Sequence, residues 1–343
     1  MSTRSPLVAW RTLDFPADWD DAFGFAGPLE LEVGFGDGRF TVRRAATEPT
    51  TRFVGLEVSS GSLQRALRRI KRQGVNNVLI AKVGAEFALR ELFAAGSLGG
   101  IVVNFPDPWP KERHVKHRLL KRSFFELAAT RLVPDGEVRL ATDHEEYRDF
   151  ATEQAALSGL YEVTKPQPPK AVFETKYALK WRDLGKPLYY VVFKRNGGLA
   201  QPVPHLERPR EMPHALLTGA LPPTATLDKT VLRYGGGHVV LHEAAVVMPP
   251  GSVAPADSDL VADTHDPGPA TRQPRWLVRA TIEETDLKQQ LLILVQQRQP
   301  DEVIVRLETF GDPVITEAAR GAVHAVTEWL IANTDLSIKR RSY

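Results

Sequence analysis

Residues 104–120 join a rigid carboxylate to a block of positive charge. Their sequence is NFPDPWPKERHVKHRLL. Prolines at alternate positions fix φ and disfavour helix, so Asp107 is predicted to lie in a stiff extended loop. From Lys111 to Arg122 there are six lysines or arginines, two histidines and one acid, in a chain whose net charge is only +2. Such a local charge suits a site that holds an acidic group beside a polyanion, although a basic run alone is also typical of a solvated loop.

The elements around this loop predict an open α/β sheet. Ile101-Val102-Val103 precede it as an apolar run, which is typical of a strand buried on both faces of a parallel sheet. Such sheets bind ligands in the loops that leave the carboxyl ends of their strands. Asp107 is therefore expected at the ligand-binding edge of the sheet.

A second candidate site follows the predicted strand Leu29–Val33, in the sequence Gly34-Phe35-Gly36-Asp37-Gly38. Glycines permit positive φ and let the backbone approach a ligand closely at the start of a helix. The dinucleotide fingerprint requires a glycine at its sixth position, where this chain has Arg39, so nicotinamide binding is disfavoured. Glu57 ends the next predicted strand and could accept hydrogen bonds from the hydroxyls of an adenosine ribose.

The segment Pro106–Lys111, together with Arg113-His114, resembles the signature of the TrmB family, the bacterial tRNA (guanine-N7-)-methyltransferases. The resemblance covers about Leu29 to Arg195. It implies an α/β fold, the Rossmann-like class I SAM-dependent methyltransferase fold with a seven-stranded sheet. It also implies methyl transfer from S-adenosyl-L-methionine to N7 of the guanosine at position 46 in the tRNA variable loop.

The resemblance also implies roles for particular residues. Asp107 is the expected catalytic residue. The expected cofactor-binding residues are Glu32, Gly34, Gly36, Gly38, Glu57, Gly84 and Asp107. The expected substrate-binding residues are Lys111, Asp143 and Thr175. The basic block predicts a tRNA phosphate surface formed by Arg113, His114, Lys116, Arg118, Lys121 and Arg122.

Asp143 and a set of arginines after Glu57 each have an alternative role. Asp143 could instead cap the helix predicted to begin at His144. Arginines 65, 68, 69 and 72 share one face of the helix predicted after Glu57, which could extend the phosphate surface or be a solvated face. No metal site is expected, because the histidine pairs lack further ligands.

Two positions depart from the family's pattern. The resemblance places an acidic residue at Gly84, to receive the adenine amino group, and a glutamate at Ala178, in the T-x-x-E motif that begins at Thr175. Backbone groups or Glu86 could replace the first acceptor, or the affinity for the cofactor is reduced. The alternative function is therefore a catalytically weakened tRNA-binding methyltransferase paralogue. A small-molecule methyltransferase is disfavoured, because a neutral substrate has no need of the basic block.

The length of 343 residues is sufficient for two domains. We predict a methyltransferase domain over 1–197, a proline-rich linker over 198–228, and a small C-terminal α+β domain over 229–343 with a loop insert at about 248–274. Asp312 and Pro313 predict the start of a helix that extends to about Asn333. Cysteine is absent and no stretch is long and apolar enough to span a membrane, so the expected compartment is the cytoplasm. The sequence leaves the oligomeric state open between monomer and homodimer.

Overall fold

The computed structural model describes residues 5–175, 177–178, 185–207, 209, 211–223, 226–247 and 275–343. The chain divides into two compact units, Met1–Glu207 and Arg208–Tyr343. The predicted loop insert at 248–274 lies outside the described residues.

The first unit is built on a seven-stranded sheet with the spatial order β3-β2-β1-β4-β5-β7-β6. Its strands are β1 (Leu29–Val33), β2 (Arg52–Glu57), β3 (Val78–Lys82), β4 (Leu98–Asn104), β5 (Leu132–Thr142), β6 (Tyr161–Thr164) and β7 (Tyr189–Arg195). Strands β1 to β5 pair in parallel, whereas β7 runs antiparallel to both β5 and β6. The apolar runs of the central strands are buried, as Val54 and Ile101 show. The predicted Rossmann-like methyltransferase fold is confirmed.

The helices of this unit are α1 (Trp19–Phe23), α2 (Arg39–Thr47), α3 (Ser60–Gln73), α4 (Ala85–Glu91), α5 (Arg122–Arg131), α6 (Glu145–Ser158) and α7 (Lys170–Phe173). Helix α2 packs against α3, and α5 packs against α4 and α6. Local sequence sets the limits of α3. The Ser59 side chain accepts a hydrogen bond from the Ser62 amide at its start, and Gly74 ends it in a left-handed conformation.

The strand register brings three carboxyl ends together at one edge of the sheet. Glu32 of β1 lies opposite Gly55 of β2 on one side and Val102 of β4 on the other. The glycine loop after β1, Glu57 at the end of β2, and the loop after β4 therefore meet at this edge, where doubly wound sheets bind ligands.

The second unit is a seven-stranded antiparallel sheet with one described helix, α8 (Glu317–Asn333), packed on it. Its strands are β8 (His214–Thr218), β9 (Thr230–Tyr234), β10 (Gly237–Val246), β11 (Arg275–Glu283), β12 (Lys288–Gln299), β13 (Glu302–Leu307) and β14 (Ser337–Ser342), in the spatial order β14-β8-β13-β12-β11-β10-β9. Val278 and Ile293 belong to the core that α8 covers with Ala322 and Val326. The predicted α+β class is confirmed.

Helix α8 begins later than the sequence predicts. Its N-cap is Thr316, whose side chain accepts a hydrogen bond from the Ala319 amide, whereas Asp312 has a φ of 49° and lies in a turn. The buried side chain of Gln289 makes hydrogen bonds of 2.8 and 3.0 Å with the amide and carbonyl of Val314. These bonds use backbone groups that a helix starting at Pro313 would need, so the helix starts after them.

The predicted linker over 198–228 also differs in the structure. Residues 198–207 belong to the first unit, where the Leu206 amide donates to Glu91 at 2.7 Å and Arg131 donates to the Val203 carbonyl at 3.0 Å. The following part contains β8, which is paired with β13 on one side and β14 on the other. Its prolines lie outside the strand, where no ladder hydrogen bond is lost, so a high proline content is compatible with a central strand.

Candidate active site

A cleft of about 600 Å³ lies at the carboxyl edge of β1, β2 and β4. It brings together most of the residues predicted to bind the cofactor. Of the predicted site residues, Glu32, Gly34, Gly36, Glu57, Asp107 and Thr175 line it, whereas Gly38, Gly84, Lys111 and Asp143 do not. Six of these ten predicted residues therefore share one cleft, and four lie outside it.

The glycine loop requires glycine at each of its three positions, because φ is 69° at Gly34, 59° at Gly36 and 72° at Gly38. A Cβ atom on Gly38 would lie 2.9 Å from the Cβ of Ala66, so this glycine allows α2 and α3 to pack closely. A Cβ atom on Gly34 would meet nothing within 4 Å. Gly38 thus supports the loop, while Gly34 faces space that a ligand can occupy.

Glu57 holds the glycine loop against the end of β2. Its Oε1 accepts hydrogen bonds from the amides of Val58 (2.8 Å) and Ser59 (2.9 Å), and its Oε2 accepts one from the amide of Gly36 (3.1 Å). Three backbone donors fix the orientation of the carboxylate, as binding ribose hydroxyls requires.

Glu32 is a buried carboxyl group at the base of the cleft, only 6% exposed. It accepts hydrogen bonds from the Thr41 hydroxyl and from Nδ2 of Asn104, the latter at 3.0 Å. Burial disfavours the charged form and raises the pKa of Glu32 to about 7, although both hydrogen bonds act in the opposite direction. The Oδ1 atom of Asn104 is buried and has no hydrogen-bond partner among the residues that the structure describes.

The sequence analysis assigned no role to Asn104 or Thr41. A polar residue that ends an apolar strand was the available signal for Asn104, since β4 is apolar immediately before it. Thr41 had no such signal, because its contact with Glu32 depends on how α2 lies on the sheet.

Asp107 lies in a loop of unusual backbone conformation. Phe105 and Trp109, on either side of it, have φ values of 51° and 43°, which are strained for residues with large side chains. The loop is held at both ends, because the Phe105 amide donates to the Ala141 carbonyl at 2.7 Å and Nε of Arg118 donates to the Pro108 carbonyl at 2.9 Å. The predicted stiff presentation of Asp107 agrees with this arrangement.

Arg118 differs from its predicted role on the phosphate surface. It is 5% exposed, and its guanidinium lies 4.9 Å from the ring centre of Phe150 and 5.7 Å from that of Tyr147. Its burial leaves little of the guanidinium accessible to a phosphate group. Its role in the structure is to hold the Asp107 loop.

The rest of the basic block contains both exposed and paired side chains. A short 3₁₀ helix spans Glu112–His117, and within it Arg113 and Lys116 are exposed, as is the preceding Lys111. The rings of His114 and His117 lie 5.7 and 5.3 Å from the ring of Trp109. Lys121 pairs with Glu86 at 3.4 Å, and Arg122 pairs with Glu126 at 2.7 Å.

The arginines of α3 are divided in a similar way. Arg69 donates to the carbonyl of Asp37 at 3.0 Å and to its carboxylate at 2.9 Å, so it braces the glycine loop. Arg65 lines the cleft, and Arg68 and Arg72 are exposed on the same helix. Of the four arginines predicted to share one helix face, Arg65, Arg68 and Arg72 are exposed, whereas Arg69 is bonded to the glycine loop.

The two substrate positions outside the basic block have local partners. Asp143 lies 3.5 Å from Nζ of Lys186, and it does not cap α6, because His144 accepts the capping hydrogen bond from the Tyr147 amide. The Thr175 hydroxyl donates to the Val172 carbonyl at 3.0 Å and accepts from the Ala178 amide at 3.1 Å.

Gly84 is the N-cap residue of α4, between Val83 and Ala85, which both line the cleft. Glu86 does not line the cleft and is paired with Lys121. Of the two possible replacements for an acidic residue at position 84, the geometry favours backbone groups.

Over the described ranges, no group of three or more His, Asp or Glu side chains is arranged to hold a metal ion. None of the helices that the structure places is both long and apolar enough to cross a bilayer.

This chain is similar to several known proteins. The profile of a family described as "Putative methyltransferase" matches residues 26–191. A tRNA (guanine-N(7)-)-methyltransferase of Thermus thermophilus is 41% identical over 95% of this chain and 96% of its own length. A protein of the same name from Deinococcus radiodurans is 40% identical over 92% of both chains. A solved 16S rRNA methyltransferase, KamB, superposes with a TM-score of 0.40 and 15% identity over 52% of this chain and 91% of its own.

The match with the Thermus and Deinococcus proteins includes the second unit as well as the methyltransferase sheet, since it extends over more than nine tenths of the chain. At such identity and coverage, the relationship applies to the protein as a whole. The chain belongs to the family of tRNA (guanine-N7-)-methyltransferases.

Proposed function

We propose that the protein transfers a methyl group from S-adenosyl-L-methionine to N7 of the guanosine at position 46 in the variable loop of tRNA. The observation that carries the proposal is the cleft itself. It combines a glycine loop and Glu57, which suit an adenosine, with the carboxylate of Asp107 on a braced loop, and exposed cations follow Asp107 in the chain. The names of the full-length relatives support the same substrate.

The residues present fit the cofactor. The volume of about 600 Å³ is within the roughly 300–1,000 Å³ that is usual for small-molecule sites. Gly34 leaves space beside the backbone, and Glu57 offers a fixed acceptor for hydroxyl groups. The buried Oδ1 atom of Asn104 is a further acceptor whose donor is to be supplied by a bound molecule.

When bound, the cofactor supplies a methyl group attached to a sulfonium sulfur, which a nucleophile can attack. N7 of guanine has a lone pair in the plane of the base and carries no proton, so the protein needs no general base. Its contribution is therefore to position the base and to stabilise charge. The purine becomes positively charged as it is methylated, and the carboxylate of Asp107 stabilises that charge from the wall of the cleft.

The loop hydrogen bonds make this stabilisation effective. Asp107 is held between two prolines, and Arg118 fixes the carbonyl of Pro108 at 2.9 Å. The backbone that carries the carboxylate therefore does not have to move during the reaction, which favours an electrostatic effect of Asp107 on the transition state.

The proposed tRNA contacts are the exposed cations next to this loop. Lys111, Arg113 and Lys116 are exposed and can reach phosphate oxygens, with His114 beside them. Lys121 and Arg122 already have carboxylate partners, so each would contribute less. We propose the cytoplasm as its compartment, because the proposed substrate is tRNA.

The test is methyl transfer from labelled S-adenosyl-L-methionine to unmodified tRNA, with a matched transcript in which guanosine 46 is replaced by adenosine. We expect label in the first transcript alone. Label in neither transcript, with tRNA still bound, would reject the proposed activity. That result would favour a weakened tRNA-binding paralogue, with Gly84 and Ala178 as the positions to restore to acidic residues.

A further inference from the structure

Three large aromatic side chains lie along the cleft beside Asp107 although aromatic residues are usually buried. Trp109 is 36% exposed and Tyr177 is 45% exposed. The ring of Phe105 lies 6.1 Å from that of Tyr177. All three residues line the same cleft as Asp107 and Glu57. They offer a wall of π surface next to the proposed catalytic carboxylate.

The structure maintains this wall at a cost in backbone energy. Trp109 and Phe105 both have positive φ, a backbone conformation that is strained for a residue with a large side chain. The strain persists because hydrogen bonds fix the loop at both ends, from Phe105 to Ala141 and from Arg118 to Pro108. Such strain is commonly found at ligand-binding sites, where it holds a side chain in its working position.

Packing accounts for only part of the arrangement of Trp109. The indole contacts the rings of His114 and His117, at centroid distances of 5.7 and 5.3 Å. Trp109 is nevertheless exposed and lines the cleft, as does His117. The histidines thus contact the indole without burying it, and Trp109 keeps surface that a ligand in the cleft can reach.

Given the proposed function, on which this inference rests, we propose that Trp109 and Tyr177 form a stacking subsite for the target guanine base. Enzymes that modify a base take it out of its stack and hold it against aromatic side chains. Stacking uses the face of the base and leaves its edge accessible. N7 and its lone pair lie on that edge, so a stacked guanine can still present N7 for attack.

The positive charge that develops on the purine during methyl transfer strengthens its attraction to the aromatic rings. N7 forms a bond to the methyl carbon as the bond from that carbon to the sulfonium sulfur breaks, so positive charge moves from sulfur to the purine. A cation is attracted to the face of an aromatic ring, and the indole of tryptophan gives the strongest attraction of this kind. Trp109 therefore stabilises the methylated purine more than the neutral base, and it acts in the same direction as Asp107.

The decisive variant is Trp109→Leu, which removes the ring and keeps an apolar side chain of moderate size. Loss of the stacking of one base on an aromatic ring should lower kcat/KM for tRNA roughly 5- to 150-fold. Trp109→Phe should recover most of the loss, because it restores a ring. Phe173→Leu is the matched control, since Phe173 is 42% exposed in α7 and does not line the cleft.

A spectroscopic measurement separates stacking from a general loss of activity. A tRNA transcript with 2-aminopurine at position 46 should be strongly quenched when bound to the wild-type protein, because the base stacks on the indole. The same transcript bound to Trp109→Leu should be brighter. Equal fluorescence in the two complexes would overturn the proposal.

Two further comparisons keep the test decisive. If Trp109→Leu does not fold, as judged by its melting temperature, Tyr177→Leu carries the test, because Tyr177 is outside the strained loop. A wild-type protein that transfers no label would reject the proposed function. An active wild-type protein whose Trp109→Leu and Tyr177→Leu variants match Phe173→Leu in kcat/KM would reject the stacking subsite alone.

Discussion

Cofactor binding should depend on pH through Glu32. Burial raises the pKa of this carboxyl group to about 7, so below pH 7 most molecules of the free protein carry it protonated. S-adenosyl-L-methionine brings a sulfonium and an ammonium group into the cleft that Glu32 lines. A nearby cation favours the ionised carboxylate, so we expect the cofactor to bind the ionised form and to release a proton on binding below pH 7.

The change in cofactor affinity with pH follows from the fraction of protein molecules in which Glu32 is ionised. With a pKa of about 7, protonation of Glu32 weakens binding by a factor of about 33 at pH 5.5 and about 2 at pH 7. The apparent Kd should therefore fall about 16-fold between these pH values. The α-amino group of the cofactor titrates near pH 8 and stays charged throughout this range, by analogy with α-amino groups of about 7.7–8.0.

Isothermal titration calorimetry in two buffers of different ionisation enthalpy measures the Kd and the released proton together. Glu32→Gln is the matched variant, because glutamine keeps the size of the side chain and can accept from Thr41 but does not titrate. Its Kd should be weaker at pH 7 and nearly constant down to pH 5.5. A wild-type Kd that is constant over this range, with no proton released, would refute the reasoning.

Stability should show the opposite dependence on pH in the absence of cofactor. The raised pKa of Glu32 means that the folded protein keeps a proton which the unfolded chain loses above about pH 4.5. The stabilisation is complete below pH 4.5 and is lost as the pH rises toward 7, by up to about 3 kcal/mol. Urea unfolding at pH 5 and pH 7 should show this loss in the wild-type protein and not in Glu32→Gln; equal losses in both proteins would contradict it.

Three other predictions concern the Asp107 loop and the basic block. Asp107→Asn should lower kcat for methyl transfer by tenfold or more with little change in tRNA affinity, and full activity would contradict its assignment. Three exposed cations can be replaced together by alanine, namely Lys111, Arg113 and Lys116. This should reduce the slope of log K against log salt for tRNA binding by about 2–3, and an unchanged slope would exclude that surface. Arg118→Ala should lower the free energy of unfolding by about 1–3 kcal/mol, because the Pro108 carbonyl loses its donor, whereas unchanged stability in urea unfolding would show that the bond is dispensable.

The sheet and the centre of the cleft could be predicted from sequence because their signals are local. Apolar residues alternate with glutamates in β1 and form short continuous runs in β2 and β4, and the glycines after β1 mark a turn that glycine adopts easily. Parallel pairing then places Glu57 and Asp107 at one edge without any knowledge of side-chain packing.

The parts that could not be predicted depend on contacts between distant segments. Arg118 has the same local sequence signal as the other cations of its block, yet it is buried because Tyr147 and Phe150, some thirty residues later, pack around it. The start of α8 has a similar explanation. A good local N-cap at Asp312 is outweighed by hydrogen bonds from Gln289, which belongs to a neighbouring strand.

The hydrogen bonds of Glu57 limit how it can receive a ribose. A carboxylate has about four acceptor positions, two on each oxygen. The amides of Val58 and Ser59 fill both positions on Oε1, and the amide of Gly36 takes one on Oε2. One position is left, so a ribose that places both hydroxyls on this carboxylate must displace a backbone amide. Glu57 as it is held here therefore offers a ribose one hydrogen-bond position, and Gly36, with the longest of the three bonds, is the amide that a second hydroxyl would have to replace.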